Sequence, residues 1–167
     1  MELLRLTIEH FKGIDRLELA LDGHDADIYG DNATGKTTIF DAIQWLLFGK
    51  DSAGRSDFEV KPLGPDGKAR LNGQDVAVEA VIREGVQNKT LRRVYTEKWE
   101  RQRGSAAAVF TGHTTTYWVD GLPLSQRQYQ ALIDAMIPEK RFRLLTNPYY
   151  FSHILKWQER RNILFEI

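Results

Sequence analysis

Residues 28–43 read IYGDNATGKTTIFDAI. A short apolar run ends at Gly30, a polar loop follows, and Lys36, Thr37 and Thr38 open an apolar segment. Gly30, Gly35, Lys36 and Thr37 satisfy the pattern G-x-x-x-x-G-K-[ST] of a phosphate-binding loop. Each part has a physical reason. Glycine takes positive φ and lets the backbone approach an anion closely. Successive backbone N–H groups from Gly30 through Asp31, Asn32, Ala33, Thr34, Gly35, Lys36, Thr37 and Thr38 curl around a polyphosphate. The helix that follows aims its dipole and unpaired N–H groups at the same charge. Lys36 adds a full positive charge, and the Thr37 hydroxyl is placed for a Mg²⁺ ion bridging the phosphates.

The context needed by the motif is a strand before and a helix after. ADIYG is expected to be a short strand leading into the loop. From Ile39 to Phe48 nearly every residue is apolar (Ile39, Phe40, Ala42, Ile43, Trp45, Leu46, Leu47, Phe48), so the helix is buried on several sides, and Gly49 stops it. Upstream, Leu4, Leu6 and Ile8 alternate with polar residues, as do Leu17, Leu19 and Leu21, giving two strands joined by a hairpin at FKGID. Asp22-Gly23 makes the next turn. Downstream, GKDSAGRSDFEVKPLGPDGKAR reads as a polar surface loop with a short strand at DFEV. Val76, Val78, Ala80 and Ile82 mark a strand whose partner, KTLRRVYTEKW, follows EGVQN. RQRGSAAAVFTGH reads as a loop, and TTTYWVD as a strand closed by an Asp120-Gly121 turn. Ser125 and Gln128 form a capping box for a helix carrying Tyr129, Leu132, Ile133 and Met136 on one face. Pro138 ends that helix and starts EKRFRLL, and residues 149–167 are expected to be one helix, uncapped at its end.

Bulk composition narrows the class. Hydrophobic residues are 42% and charged residues 28%, ordinary for a globular domain. Lys+Arg and Asp+Glu are both 23, so no global charge argues for nucleic acid or a membrane surface. Absence of cysteine excludes disulfides and thiolate metal sites and fits a cytoplasmic setting. The N-terminus is not patterned as a signal peptide, and no apolar run reaches a membrane span.

LRLTIEHFKGI, RLELAL and YGDNATGKTTIFDAI follow the order of the N-terminal half of the SMC, RecN and SbcC-like head domains, ABC-type ATPases of DNA maintenance, and the chain resembles that half. IFDAIQWLLFGKDS, FEVKP and ERRNIL look nearest to the SbcC-like branch, among phage-type or prophage-type relatives. The resemblance is motif-rich over residues 3–51 and departs from the family at Ala33, where glycine is common. It implies an α/β P-loop fold, a mixed sheet around the phosphate-loop helix with an antiparallel β-rich subdomain and C-terminal helices. It implies ATP and Mg²⁺ as cofactors, hydrolysis by the full-length protein, and double-strand break repair, recombination or chromosome maintenance as the setting. Implied partners are a C-terminal lobe of the same protein, a second head joined through ATP, DNA, and a nuclease subunit. The Walker B acids and the signature loop are not in this sequence, and Asp120 reads as a turn residue. The chain is therefore expected to be one N-lobe over residues 1–167, inactive by itself, its helix 149–167 leading into a coiled coil.

The resemblance also implies a Q-loop amide that helps to hold Mg²⁺ and the attacking water. Counting back about a dozen residues from Glu159 lands on TNPYY, where Asn147 is the amide; Gln158 is the alternative. Lys36 and Asn147 are thus the catalytic candidates, and Thr37 and Asn147 the metal candidates. Lys12 and Gly13 match the hairpin that reaches over the nucleotide, and Arg55 and Lys61 lie in a region that contacts base or γ-phosphate in family heads. Lys89, Arg92, Arg93, Lys98, Arg101 and Arg103 surround Tyr95 and Trp99; a solvated sheet face is the simpler account, because Glu97 and Glu100 sit among them, and a DNA contact is the alternative. His10, His24, His113 and His153 show no ligand spacing. Two rival classes stand beside the ATPase head: a small self-contained kinase or GTPase, whose base-reading N-K-x-D is absent, and a DNA- or protein-binding module with a vestigial phosphate loop.

Overall fold

The computed structural model describes residues 1–32, 34–70, 73–101 and 108–165 of the chain. Ala33 and Arg103 lie outside the described residues. Two compact units are present, Met1–Tyr129 and Gln130–Ile167.

The first unit is a six-stranded sheet with one helix on its face. Its elements are β1 (Glu2–Phe11), β2 (Ile14–Ala20), α1 (Lys36–Phe48), β3 (Val76–Glu84), β4 (Gln87–Arg101), β5 (Ala108–Val119) and β6 (Leu122–Leu124), with sheet order β2-β1-β3-β4-β5-β6. Alternation decides which face is inside. Leu6 and Ile8 of β1, Val76, Val78, Ala80 and Ile82 of β3, and Leu91 of β4 are buried. Ala42, Trp45, Leu46 and Leu47 of α1 are buried with them, and α1 lies against β1, β3 and β4. Each large aliphatic side chain so buried contributes roughly 1.5–3 kcal/mol. This packing fixes the helix axis, and with it the direction in which the N-terminus of α1 points.

Turn chemistry sets the register. Phe11 pairs with Ile14 across Lys12-Gly13, Glu84 with Gln87 across Gly85-Val86, and Val119 with Leu122 across Asp120-Gly121. Asp120 and Gly121 have φ of 51° and 77°, the left-handed pair of a type I′ hairpin. The Asp120 carboxylate accepts from Thr90 N at 2.7 Å, so this acid is a turn residue as expected.

Several local expectations are corrected. Every described ladder is antiparallel, so the α/β fold forms without the parallel pairing of a mixed sheet. Residues 24–30 form no strand, and Ile28 and Tyr29 are exposed. A strand requires a neighbour to complete its ladder, and both sides of β1 are already taken by β2 and β3. DFEV is likewise not a strand: Val60 is buried in a coil and its carbonyl accepts from Lys12 N at 2.8 Å. β4 and β5 run further than the sequence pattern indicated. Tyr95 stacks on His113 with centroids 4.4 Å apart, and Trp99 meets Phe110 at 5.6 Å, cross-strand aromatic pairs that extend the ribbon.

The second unit is helical. α2 (Gln126–Met136) runs into it, followed by α3 (Glu139–Thr146), a π-helical turn over Tyr150–Ile154, and α4 (Trp157–Phe165). The Ser125 capping box forms, with Ser125 N donating to Gln128 Oε1 at 3.1 Å and Gln128 N to Ser125 Oγ at 3.3 Å. The single helix expected over 149–167 is interrupted: Leu155 is extended, with φ −68° and ψ 139°, and its side chain is buried. Among the described residues, no helix is long and apolar enough to cross a membrane.

Candidate nucleotide site

The N-terminus of α1 is capped by Gly35, with φ 95° and no side-chain hydrogen bond to the first turn. A side chain at that φ is strained, which explains the glycine. Glycine brings no side-chain oxygen to the first-turn N–H groups of α1, and an anion can complement them there. Gly13, Asn32, Thr34, Gly35, Lys36, Thr37 and Thr38 line a cavity of about 350 Å³ at this end. That size lies within the range of small-ligand sites. The donors, the volume and the exposed Thr37 hydroxyl fit a triphosphate with its divalent cation.

Lys36 Nζ donates to Gly30 O at 2.5 Å and to Asp31 O at 2.6 Å. Thr34 Oγ1 donates to Asp31 O at 2.8 Å, closing the loop on itself. Gly30 and Asp31 thus supply carbonyls to the lysine, whereas Asn32 and Thr34–Thr38 supply the wall. At Gly30 an added Cβ would stand 2.7 Å from Thr34 Oγ1.

The hairpin tip closes one side. Gly13 lines the cavity, but the Lys12 ammonium is engaged elsewhere, donating to Asp41 Oδ2 at 2.6 Å and lying 4.8 Å from the Phe58 ring centroid. Asp41, on α1, also accepts from Ser52 N at 2.8 Å. Arg55 is held by buried Asp51, which accepts from its N at 2.8 Å, its Nε at 2.7 Å and its Nη2 at 2.6 Å. Burial pushes the Asp51 carboxyl up, but the backbone and side-chain hydrogen bonds from Arg55, together with its charge, outweigh this and hold it below the usual carboxylate value.

Lys61 is placed away from any nucleotide role. It is buried, donates to Gln74 O at 3.0 Å, and pairs with the buried Glu97 carboxylate. Glu97 also accepts from Trp99 Nε1 at 2.7 Å and Gly73 N at 3.2 Å. Burial raises the Glu97 pKa, but Lys61, Trp99 and Gly73 together lower it further. Three of the basic residues on the hairpin are engaged within the chain. Lys89 pairs with Glu84, and Arg92 with Glu79 and Glu9. Arg93 is buried, donates to Trp45 O, and packs on the Trp45, Tyr117 and Tyr129 rings.

Asn147 and Gln158 belong to the second unit. Asn147 ends α3 and its Oδ1 accepts from Tyr149 N at 2.9 Å; Gln158 is exposed in the first turn of α4. Among the described residues no cluster of three or more His, Asp or Glu side chains could hold a metal ion. Sequence reasoning missed the buried roles of Asp41, Asp51 and Arg93, and only Asp41 left a signal. The available signal was the presence of a carboxylate inside the apolar α1 run, which needs a partner when buried.

Comparisons with known proteins bear on the family and the fold. The family described as AAA domain matches residues 5–164. The protein named DNA replication and repair protein RecF from Lactobacillus delbrueckii subsp. bulgaricus is 25% identical over 137 residues, 79% of this chain and 36% of that protein. This chain thus spans about a third of the curated relative. The SMC head domain from Thermotoga maritima superposes with TM-score 0.52 at 21% identity, over 79% of this chain and 42% of that one. The recombination mediator protein RecF bound to ATP gives TM-score 0.51 at 17% identity, over 99% and 46%.

Proposed function

This chain belongs to the AAA domain family, and from that premise we propose that it is the ATP-binding N-terminal part of an ATPase head of the SMC and RecF kind, serving DNA repair, recombination or chromosome maintenance. The observation that carries the reading is the cavity at the glycine-capped N-terminus of α1, walled by Asn32 and Thr34–Thr38, Lys36 among them. Backbone N–H groups of Gly35–Thr38 would hold the phosphates, Lys36 would neutralise them, and Thr37 would ligate Mg²⁺. Asn147, with Gln158 as the alternative, would supply the Q-loop amide. When bound, Mg²⁺ neutralises charge developing on the phosphates. The chain's own contribution is positioning and charge stabilisation.

The remaining partners follow from the same reading. A C-terminal lobe of the same protein would complete the sheet, and a second head would close the site through ATP. Ile28, Leu6, Leu19, Leu21, Ile39 and Ile43 line an apolar groove of about 430 Å³ beside the unpaired segment 24–30, which supports an added strand there. DNA contact, a nuclease subunit, an SbcC-like branch, a coiled coil beyond α4, a cytoplasmic location and inactivity of this part alone belong to the same proposal.

Titration of the full-length protein with fluorescent ATP tests it. Saturable binding that depends on Mg²⁺ and is lost in Lys36→Ala is expected. Binding that ignores Mg²⁺, or survives Lys36→Ala unchanged, overturns it and favours a vestigial loop.

A further inference from the structure

Three cations named as nucleotide candidates are each held by an acceptor of the chain itself. Lys36 rests on two carbonyls, Arg55 on Asp51, and Lys12 on Asp41. The Lys12 pair differs from the others in where it sits. Asp41 follows Lys36 by five residues on α1, about 7.5 Å further along the helix axis. Gly13, the neighbour of Lys12 in the chain, lines the cavity.

The two partners also differ in freedom. Asp41 is fixed: its side chain is 8% exposed, it lies on a packed helix, and its second oxygen accepts from Ser52 N. Lys12 keeps 26% exposure and carries its charge on a flexible four-carbon stem. Its backbone is anchored by the bond from Lys12 N to Val60 O, so the ammonium can swing while the hairpin stays in place. If it leaves, Asp41 keeps the Ser52 N–H and the field of Arg55, whose charge it already feels.

We infer that Asp41 is an internal competitor for nucleotide phosphate: it holds Lys12 until a phosphate oxygen takes the ammonium over. The inference rests on the nucleotide-binding reading above and adds a regulator to that site. The apparent affinity of the site is then reduced by the fraction of molecules in which Lys12 is engaged by Asp41.

Asp41→Asn is the discriminating variant. It keeps an oxygen for Ser52 N and replaces the carboxylate with a neutral amide that no longer holds the ammonium. In the full-length protein, titrated with fluorescent Mg-ATP and with Mg-tripolyphosphate as competitor, D41N is expected to tighten both ligands by about threefold to tenfold. Adding Lys12→Met is expected to cancel the gain. Equal or weaker binding in D41N overturns the inference, and so does a gain that survives Lys12→Met. Wild-type protein that binds neither ligand removes the nucleotide reading itself, an outcome visible before any variant is made. A second measurement needs no acidic variant: with lysines ¹³C-methylated and Lys12 assigned through Lys12→Arg, its resonance is expected to move when tripolyphosphate is added. A Lys12 resonance unmoved at saturating tripolyphosphate overturns the inference as well.

Discussion

Lys61→Met should unfold the protein far more readily without touching nucleotide affinity. Lys61 and Glu97 side chains are 1% and 2% exposed, so the substitution leaves a carboxylate buried without its cation. Breaking a buried pair from one side costs about 3–5 kcal/mol. In a chain of this length a loss of that size lowers Tm by roughly 6–20 °C. Restoring neutrality should recover most of it: in Lys61→Met with Glu97→Gln, the amide oxygen still accepts from Trp99 Nε1 and Gly73 N, which Glu97 serves now. Acid dependence gives a second reading of the same pair. Glu97 is held below its ordinary value in the folded protein, whereas the unfolded chain titrates near 4.3 or so. Its stabilisation is complete above the unfolded value and is lost as pH falls through the lower folded one. Urea melts of wild type, K61M and K61M/E97Q at neutral and acidic pH, alongside Mg-ATP titrations of the folded proteins, make the test. A K61M cost below about 1 kcal/mol, the range of exposed pairs, would refute the reasoning, as would a loss of affinity without a loss of stability.

Gly35→Ala should abolish Mg-ATP binding while costing only about 1–2 kcal/mol of stability, since the penalty is the left-handed φ of 95° and the nearest atom to the new Cβ is 3.9 Å away; calorimetry and chemical denaturation read the two effects. Arg93→Lys should cost about 1–2 kcal/mol, because the ammonium cannot stack as a plane on the Trp45, Tyr117 and Tyr129 rings; urea melts check it. Asp51→Asn should flatten the acid limb of the stability profile, because the depressed Asp51 pKa gives a contribution present above the unfolded value and lost as pH falls through the folded one. If the proposed further lobe pairs with this segment, hydrogen exchange should show the amides of Ile28 and Tyr29 fast in residues 1–167 alone and slow with that lobe present.

The legible parts of the fold were those whose cause is local. The phosphate loop announced itself because two glycines, a lysine and a threonine at fixed spacing have one common physical use. The β1–β2 hairpin, the β3 and β4 strands, the Asp120-Gly121 turn and the Ser125 cap were each readable from alternation or turn residues a few positions apart. What escaped depends on partners distant in sequence. Arg93 looked like one member of a basic run, yet register turns it inward while Arg92 faces Glu79. Lys61 looked like a surface lysine until Glu97, thirty-six residues away, was brought against it. Asp41 and Asp51 gave no motif, because a carboxylate's role is set by which cation the fold delivers to it.

The segment before the loop shows the same dependence in a form that bears on the site. A helix satisfies its own backbone, so α1 is complete within the first unit; a strand is completed only by its neighbours, so residues 24–30 are left irregular despite the apolar pair Ile28-Tyr29. The phosphate loop is therefore anchored at its C-terminal end by α1, whereas the segment leading into it has no ladder. Gly30 and Asp31 lie where that segment enters the loop, and their carbonyls are the ones that occupy the Lys36 ammonium. A strand pairing along Ile28 and Tyr29 would fix where those carbonyls point, and so would set how readily Lys36 exchanges them for phosphate. On the proposed reading, in which a further lobe pairs with this segment, completing the sheet and priming the site would be one event.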